Sequence, residues 1–340
     1  MKPYWKHYSV LALIMLICLA VSKQFTTPLY FEVPQGWPKP KYDFKKNLLT
    51  EEGFQLGRNL FYDPILSRDN TISCQSCHLQ STGFTHIDHD LSHGIGGKIG
   101  TRNSMALINL AWSKDFMWDG GVNNLEMQPI NPITNPLEMD ETLEHVVAKL
   151  QNSAKYRALF SKAFGDDKVT SQRLLKALAQ FTVMLKSSNS KYDKVMRKEA
   201  VFTAEEQKGY ELFKTNCASC HTEPLFTSDK FENNGLKPDA ILKDGGRIKI
   251  TKDRKDSLRF KVPTLRNIEL TYPYMHDGSI KNLAMVLFHY TEDIYQSPSL
   301  SKQLVKKMNL NEQEKGDLLL FLKTLTDEEF IRNPRFQYPR

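Results

Sequence analysis

The sequence predicts a mainly α-helical protein of two domains, and three observations lead to that class. Amphipathic patterns with a helical period recur along the chain, strand-like alternation is sparse, and a helix runs twice into the pattern Cys-x-x-Cys-His. The 340 residues are enough for two domains that each bury a core.

The elements follow in chain order. The first 22 residues read as an export signal. Lys2, Lys6 and His7 form a positive start, Val10 to Val21 an apolar run, and Ala20-Val21-Ser22 a small-residue cleavage pattern. A run of about twelve residues is short for a transmembrane helix, which needs roughly 20. Cleavage after Ser22 is the preferred reading, with an uncleaved N-terminal anchor as its rival, and Cys18 is expected to leave with the signal. The mature chain, 23–340, then has four cysteines, and its formal charge falls from +7 to about +5 with Lys2 and Lys6 gone. No Lys/Arg tract marks a nucleic-acid footprint, and the mildly basic balance suits an acidic redox partner.

A Pro-rich lead (Pro28, Pro34, Pro38, Pro40) precedes a helical pattern from Thr50 to Phe61, with Thr50 placed to cap it. Gly94 to Gly100 reads as a loop. Amphipathic patterns run through Leu143–Phe164 and Ser171–Lys186, and Ser187-Ser188-Asn189-Ser190 breaks them at the expected domain boundary. The domains are thus 23–190 and 191–340. Thr203-Ala204-Glu205-Glu206 is a capping box for the helix leading to the second cysteine pair. Asn233 to Ser257 reads as a long loop or short hairpin, and Asn311 to Glu314 caps a final helix reaching Thr326.

Cys74-Gln75-Ser76-Cys77-His78 and Cys217-Ala218-Ser219-Cys220-His221 carry the chemistry. Two thiols at this spacing can form thioethers with the two vinyl groups of a haem, and the adjacent histidine then meets the iron. At this composition chance supplies about 0.002 copies of the pattern, so two copies are no accident. A shared zinc site is disfavoured because the pairs lie far apart in sequence. A thioredoxin-like pair would need a βαβ context, and simple disulfides leave both histidines unexplained. The reading is two covalent haem c groups, one in each cytochrome c-like helical domain.

At these residues the chain resembles the bacterial di-haem cytochrome c peroxidase/MauG family over roughly 45–326. The likeness includes Phe61-Tyr62-Asp63-Pro64-Ile65-Leu66-Ser67, Gly100-Thr101-Arg102-Asn103-Ser104, Trp118-Asp119-Gly120 and Asn135-Pro136-Leu137-Glu138-Met139. Its second half adds Phe260-Lys261-Val262-Pro263-Thr264-Leu265-Arg266-Asn267 and Tyr272-Pro273-Tyr274-Met275-His276-Asp277-Gly278. The resemblance implies a peroxidatic haem at His78 and an electron-transfer haem at His221. It also implies an inter-haem tryptophan at Trp118, a distal glutamine at Gln128 and a catalytic glutamate at Glu138. A distal carboxylate can take a proton from bound peroxide and return it to the leaving oxygen.

Three further roles rest on the resemblance. His93 falls where many members place a loop histidine on the peroxidatic iron; the loop here is about two residues longer, His86 and His89 are near, and a solvated loop histidine competes. Asn103, Thr271 and Pro273 match an inter-domain calcium site, with the oxygen ligands calcium prefers. Where peroxidases carry a methionine ligand fourteen residues after the histidine equivalent to His276, this chain has Tyr290, as in the MauG branch. His289 and Met285 on the same helix are its rivals. Met275 and His276 resemble structural members of the motif.

The implied activity is reduction of hydrogen peroxide at the N-terminal haem, with electrons from a small donor protein (a cytochrome c or cupredoxin) relayed through the C-terminal haem. A MauG-like oxidation of a protein or organic substrate is the alternative, favoured by Tyr290. A di-haem electron carrier without peroxide turnover is the third reading, and it has no use for Gln128 and Glu138. A periplasmic location follows from the export signal, and a homodimer from the family's habit.

Overall fold

The structure is a computed structural model and describes residues 26–339. The expected signal segment therefore lies outside the described residues. The architecture is mainly helical, as expected from the sequence. Among the described residues, strands β1 (Phe231–Glu232) and β2 (Phe260–Lys261) form one antiparallel pair. Among the described residues no helix is long and apolar enough to cross a membrane.

Helix α1 (Glu51–Tyr62) starts where Thr50 accepts the Gly53 N–H, and Glu51 and Glu52 suit the positive end of its dipole. After a long irregular stretch come α2 (Ile130–Thr134), α3 (Leu143–Asn152) and α4 (Ala154–Phe164). The pattern through Leu143–Phe164 is thus two helices. Ser153 leaves the helical region at φ −86°, ψ 119° and caps α4, its hydroxyl accepting the Tyr156 N–H. Helix α5 (Ser171–Val183) stops short of the expected Lys186.

In the second half, α6 (Lys191–Met196) and α7 (Ala204–Asn216) both begin with capping boxes, the latter built from Thr203 and Glu206. The single turn α8 (Ile248–Thr251) sits inside the expected loop. Helices α9 (Leu283–Glu292), α10 (Glu312–Lys323) and α11 (Glu328–Arg332) follow, α10 capped by Asn311 and Glu314 as expected.

The halves repeat one packing scheme. Helix α1, upstream of the first Cys pair, packs on α5, and α7, running into the second pair, packs on α10. Each contact has a glycine at its closest point. A Cβ on Gly57 would lie 1.9 Å from the Ala177 carbonyl oxygen, and one on Gly209 would lie 2.0 Å from that of Asp317. Only a bare backbone permits such approach. Phe54, Phe61, Phe84 and Phe181 fill the first core, while Phe213, Phe226 and Phe321 fill the second. Burying each ring contributes roughly 1.5–3 kcal/mol.

The end of the chain departs from the expected division. Phe330 and Phe336 belong to the first core, with ring centroids 5.6 and 6.4 Å from Phe84. The serine-rich break is correspondingly no loose linker. Ser187 and Ser190 are buried, and Asp327 Oδ2 accepts from Ser187 Oγ (3.0 Å) and the N–H groups of Ser188 (2.8 Å) and Asn189 (2.9 Å). One carboxylate at the start of α11 therefore fastens the connection and turns the tail back to the first domain.

Candidate haem and peroxide site

Both Cys-x-x-Cys-His segments have the local geometry their chemistry needs. Cys74–Ser76 is one 3₁₀ turn with Ser73 as its cap, and α7 runs directly into Cys217. Cys74, Cys77, Cys217 and Cys220 form no disulfides, which leaves both pairs available for thioethers. Cys18 lies outside the described residues.

The histidines are held alike. His78 Nδ1 lies 2.9 Å from the Phe84 carbonyl oxygen, and His221 Nδ1 lies 3.2 Å from that of Phe226 and 3.1 Å from that of Pro263. A carbonyl can only accept, so Nδ1 carries the proton and Nε2 keeps the lone pair for a metal. Burial pulls both imidazoles down to about 4, so they are neutral at pH 7. Phe84 and Phe226 adopt positive φ (59° and 52°), which turns their carbonyls to the histidines at some cost in backbone strain. Sequence reasoning missed this pair, although a phenylalanine five or six residues after each histidine was there to be seen.

A cavity of about 910 Å³ opens beside Cys77 and His78 and continues to the domain interface. Trp118, Gln128 and Glu138 all line it. The three residues named for peroxide chemistry therefore share one space with the first histidine. The room, the cysteines outside any disulfide and the neutral histidine fit a covalently held haem.

Glu138 follows α2. Burial raises its carboxyl above the ordinary value, opposed by the Asn135 amide, which donates to Oε1 at 2.9 Å. Its backbone is pinned to the glycine-rich loop, where Ile95 N–H donates to the Glu138 carbonyl at 2.8 Å. The Gln128 amide reaches Met117 Sδ at 3.8 Å. Trp118 is buried, its Nε1 donating to the Asn103 carbonyl at 2.8 Å and its own carbonyl accepting from Lys261 N–H at 2.7 Å. The indole is thus fixed from both halves of the chain.

His93 stacks on His89, with ring centroids 3.7 Å apart and planes 6° apart, and His86 flanks them. Its ring is outside the cavity wall that holds Glu138. Asn103 N–H donates to the His276 carbonyl and its side-chain amide to the Asp90 carbonyl, so Asn103 sits at the interface. No hydrogen bond joins it to Thr271 or Pro273 among the described residues.

In the second domain the three candidates on α9 separate cleanly. Met285 is 49% exposed. His289 is buried and spends Nε2 on the Asn234 carbonyl at 3.0 Å. Tyr290 is the one that neighbours the Cys217 and Cys220 thiols; burial and those thiols push its phenol up to about 12, against a hydrogen bond from Asn234. Met275 Sδ accepts from Asn234 Nδ2, and His276 stacks on Phe260.

A charge cluster closes the interface. Arg102 bridges Asp119 (2.7 Å) and Asp244 (2.6 Å), and Asp244 also meets Lys249 at 2.9 Å.

Comparison with known proteins agrees with this geometry. A family model described as di-haem cytochrome c peroxidase matches residues 51–201, and one for cytochrome c matches 206–326. The methylamine utilization protein MauG of Methylorubrum extorquens is 37% identical over 88% of this chain and 84% of its own. Cytochrome c551 peroxidase of Nitrosomonas europaea is 35% identical over 84% and 82%. The crystal structure of a MauG-like protein associated with microbial copper homeostasis superposes with a TM-score of 0.83 at 34% identity, covering 92% of this chain and 99% of that one. The chain belongs to the di-haem cytochrome c peroxidase/MauG family, as an oxidoreductase with one haem c in each of two cytochrome c-type domains.

Proposed function

We propose that the chain reduces hydrogen peroxide in the cavity beside His78, with Glu138 as the proton-transfer residue. One observation carries the reading: a partly buried carboxyl, held at one oxygen by Asn135, lines the same cavity as Cys77 and His78. Cys74, Cys77 and His78 would hold a haem, which would supply the iron for O–O cleavage. Glu138 Oε2 takes a proton from the incoming peroxide and gives it to the departing oxygen. The Gln128 amide orients the peroxide by hydrogen bonding. Trp118 offers its indole as the relay towards the haem held by His221. Two electrons and two protons convert each peroxide to two waters. The electrons come in this reading from a small redox protein with an acidic face, supported by the formal charge of about +5 that remains without Lys2 and Lys6, and the protons come from solvent. The compartment is periplasmic, supported by the signal-like start and by covalent haem. A calcium ion held by Asn103, Thr271 and Pro273 is supported by the inter-domain position of Asn103, whose N–H donates to the His276 carbonyl.

Tyr290 favours a second reading. Tyr290 would offer its oxygen to a haem held by His221, and an anionic oxygen there would favour oxidised iron, which suits holding oxidising equivalents for a protein substrate rather than accepting electrons from a donor. The MauG relatives and the MauG-like structure support this branch.

The test is turnover of the holoprotein with peroxide and a reduced cytochrome c or cupredoxin. Glu138→Gln is expected to lower the peroxide-dependent rate by about 10²–10⁴. Undiminished turnover would remove Glu138 from the chemistry. Peroxide consumption that proceeds without oxidising the donor, while a protein side chain gains oxygen or a cross-link, would select the second reading.

A further inference from the structure

The inter-domain end of the cavity contains a buried positive charge with no carboxylate oxygen within 4.0 Å of it among the described residues, although the Asp115 and Asp229 carboxylates are near enough to favour its charged form. Lys261, in β2, is 8% exposed and lines the cavity. Its Nζ donates to Ser113 Oγ at 3.2 Å and to the Asp115 backbone carbonyl at 2.6 Å, both neutral acceptors. The nearby Asp229 carboxylate is ion-paired with Lys41 instead. Burial pulls the ammonium down to about 8. Buried charges are found paired, because leaving water is strongly unfavourable for a lone ion.

A second, independent observation points to the same place. Ser228 Oγ is buried, lines this cavity and has no hydrogen-bond partner. Its segment is held against Val262, the residue after Lys261: Thr227 Oγ1 donates to the Val262 carbonyl at 2.5 Å, and Val262 N–H donates to the Lys230 carbonyl at 3.1 Å. An unpaired ammonium and an unused hydroxyl facing one space call for an anionic acceptor.

We infer that Lys261 and Ser228 form a receptor for a haem carboxylate at the domain interface, Lys261 supplying the charge and Ser228 a hydrogen bond. The site does not depend on the peroxide chemistry; it requires only that the haems are bound. Lys261 N–H also holds the Trp118 carbonyl. One residue then fastens both a haem edge and the segment carrying the relay indole, so its loss disturbs potential and relay together.

The experiment is a spectroelectrochemical titration of both haems in holoprotein carrying Lys261→Met, Lys261→Arg or Ser228→Ala. A cation beside a haem carboxylate favours the reduced haem. Lys261→Met is expected to lower the potential of one haem by at least a decade in its reduction equilibrium constant, about 59 mV for one electron. Lys261→Arg retains most of the wild-type value, and Ser228→Ala shifts the same haem the same way by less. Ser228→Ala removes a single oxygen, so it tests the proposal even if Lys261→Met fails to mature. Unchanged potentials at both haems in Lys261→Met, or in Ser228→Ala alone where the other does not fold, overturn the inference. Added acetate distinguishes the other source of a carboxylate: an acetate-dependent spectral change in the wild type that is lost in Lys261→Met would assign the receptor to a free acid and overturn the haem assignment.

Discussion

The side-chain amide of Asn135 donates to Glu138 Oε1 at 2.9 Å, three residues apart in the turn that follows α2. Burial raises the Glu138 carboxyl, and this bond restrains the rise by favouring the ionised form. Glu138 must be ionised to accept a proton from peroxide, so the acid limb of kcat/KM follows its pKa. Asn135→Ala is expected to move that limb to higher pH and to leave the rate on the alkaline plateau less affected. A pH profile of peroxide turnover checks this. A limb that stays in place separates Asn135 from the control of Glu138.

Tyr290 and Met285 make opposite predictions although they share α9. Tyr290 lies beside the thiols that anchor the second haem, whereas Met285 is 49% exposed. Tyr290→Phe is expected to change the low-temperature spectrum of the His221 haem in the oxidised protein, and Met285→Ala to leave it alone. The same low-spin signal in Tyr290→Phe would exclude the tyrosine as ligand.

Arg102 joins a carboxylate from each half of the chain. Burial opposes ionisation of Asp244, but Arg102 and Lys249 overcome it and hold the carboxyl well below the usual range. A depressed carboxylate stabilises the fold above its unfolded pKa of about 3.9 and loses that contribution as pH falls below it. Removing one partner of a buried pair costs about 3–5 kcal/mol, and the remaining Lys249 places Arg102→Met near the lower figure. Urea denaturation between neutral pH and pH 3 is expected to show lower stability and a weaker acid dependence in the variant. Equal stabilities would mean that the bridge is neutral.

Gly209→Ala and Gly57→Ala each force a methyl group into a facing backbone carbonyl. A loss of about 3 kcal/mol is expected, the upper end for overpacking, and melting should fall by roughly 2–4 °C per kcal/mol. A Cβ on Gly316, in α10, would meet nothing within 4 Å, so Gly316→Ala is expected to gain about 0.5–1 kcal/mol. Thermal melting of the three variants checks the contrast.

The legible features were those written in local chemistry. Thr50, Thr203 and Asn311 start their helices as expected, because a cap needs only a side chain and backbone a few residues away. The break at Ser153 was not legible, since its apolar pattern continues across a single extended residue. Phe84 and Phe226 were missed because a positive φ in phenylalanine follows no propensity; it is imposed by the histidine each carbonyl must meet.

The amino-acid sequence by itself determined the two haem attachment segments, because covalent spacing is one-dimensional, and it was the resemblance to the family that singled out Trp118, Gln128 and Glu138. Only the tertiary structure decided that those three share a cavity with His78, that Tyr290 rather than Met285 neighbours the second cysteine pair, and that the tail returns to the first core. The reason is physical: burial and neighbourhood arise from segments far apart in the chain, and no local pattern records which distant carbonyl, thiol or ring will close on a given side chain.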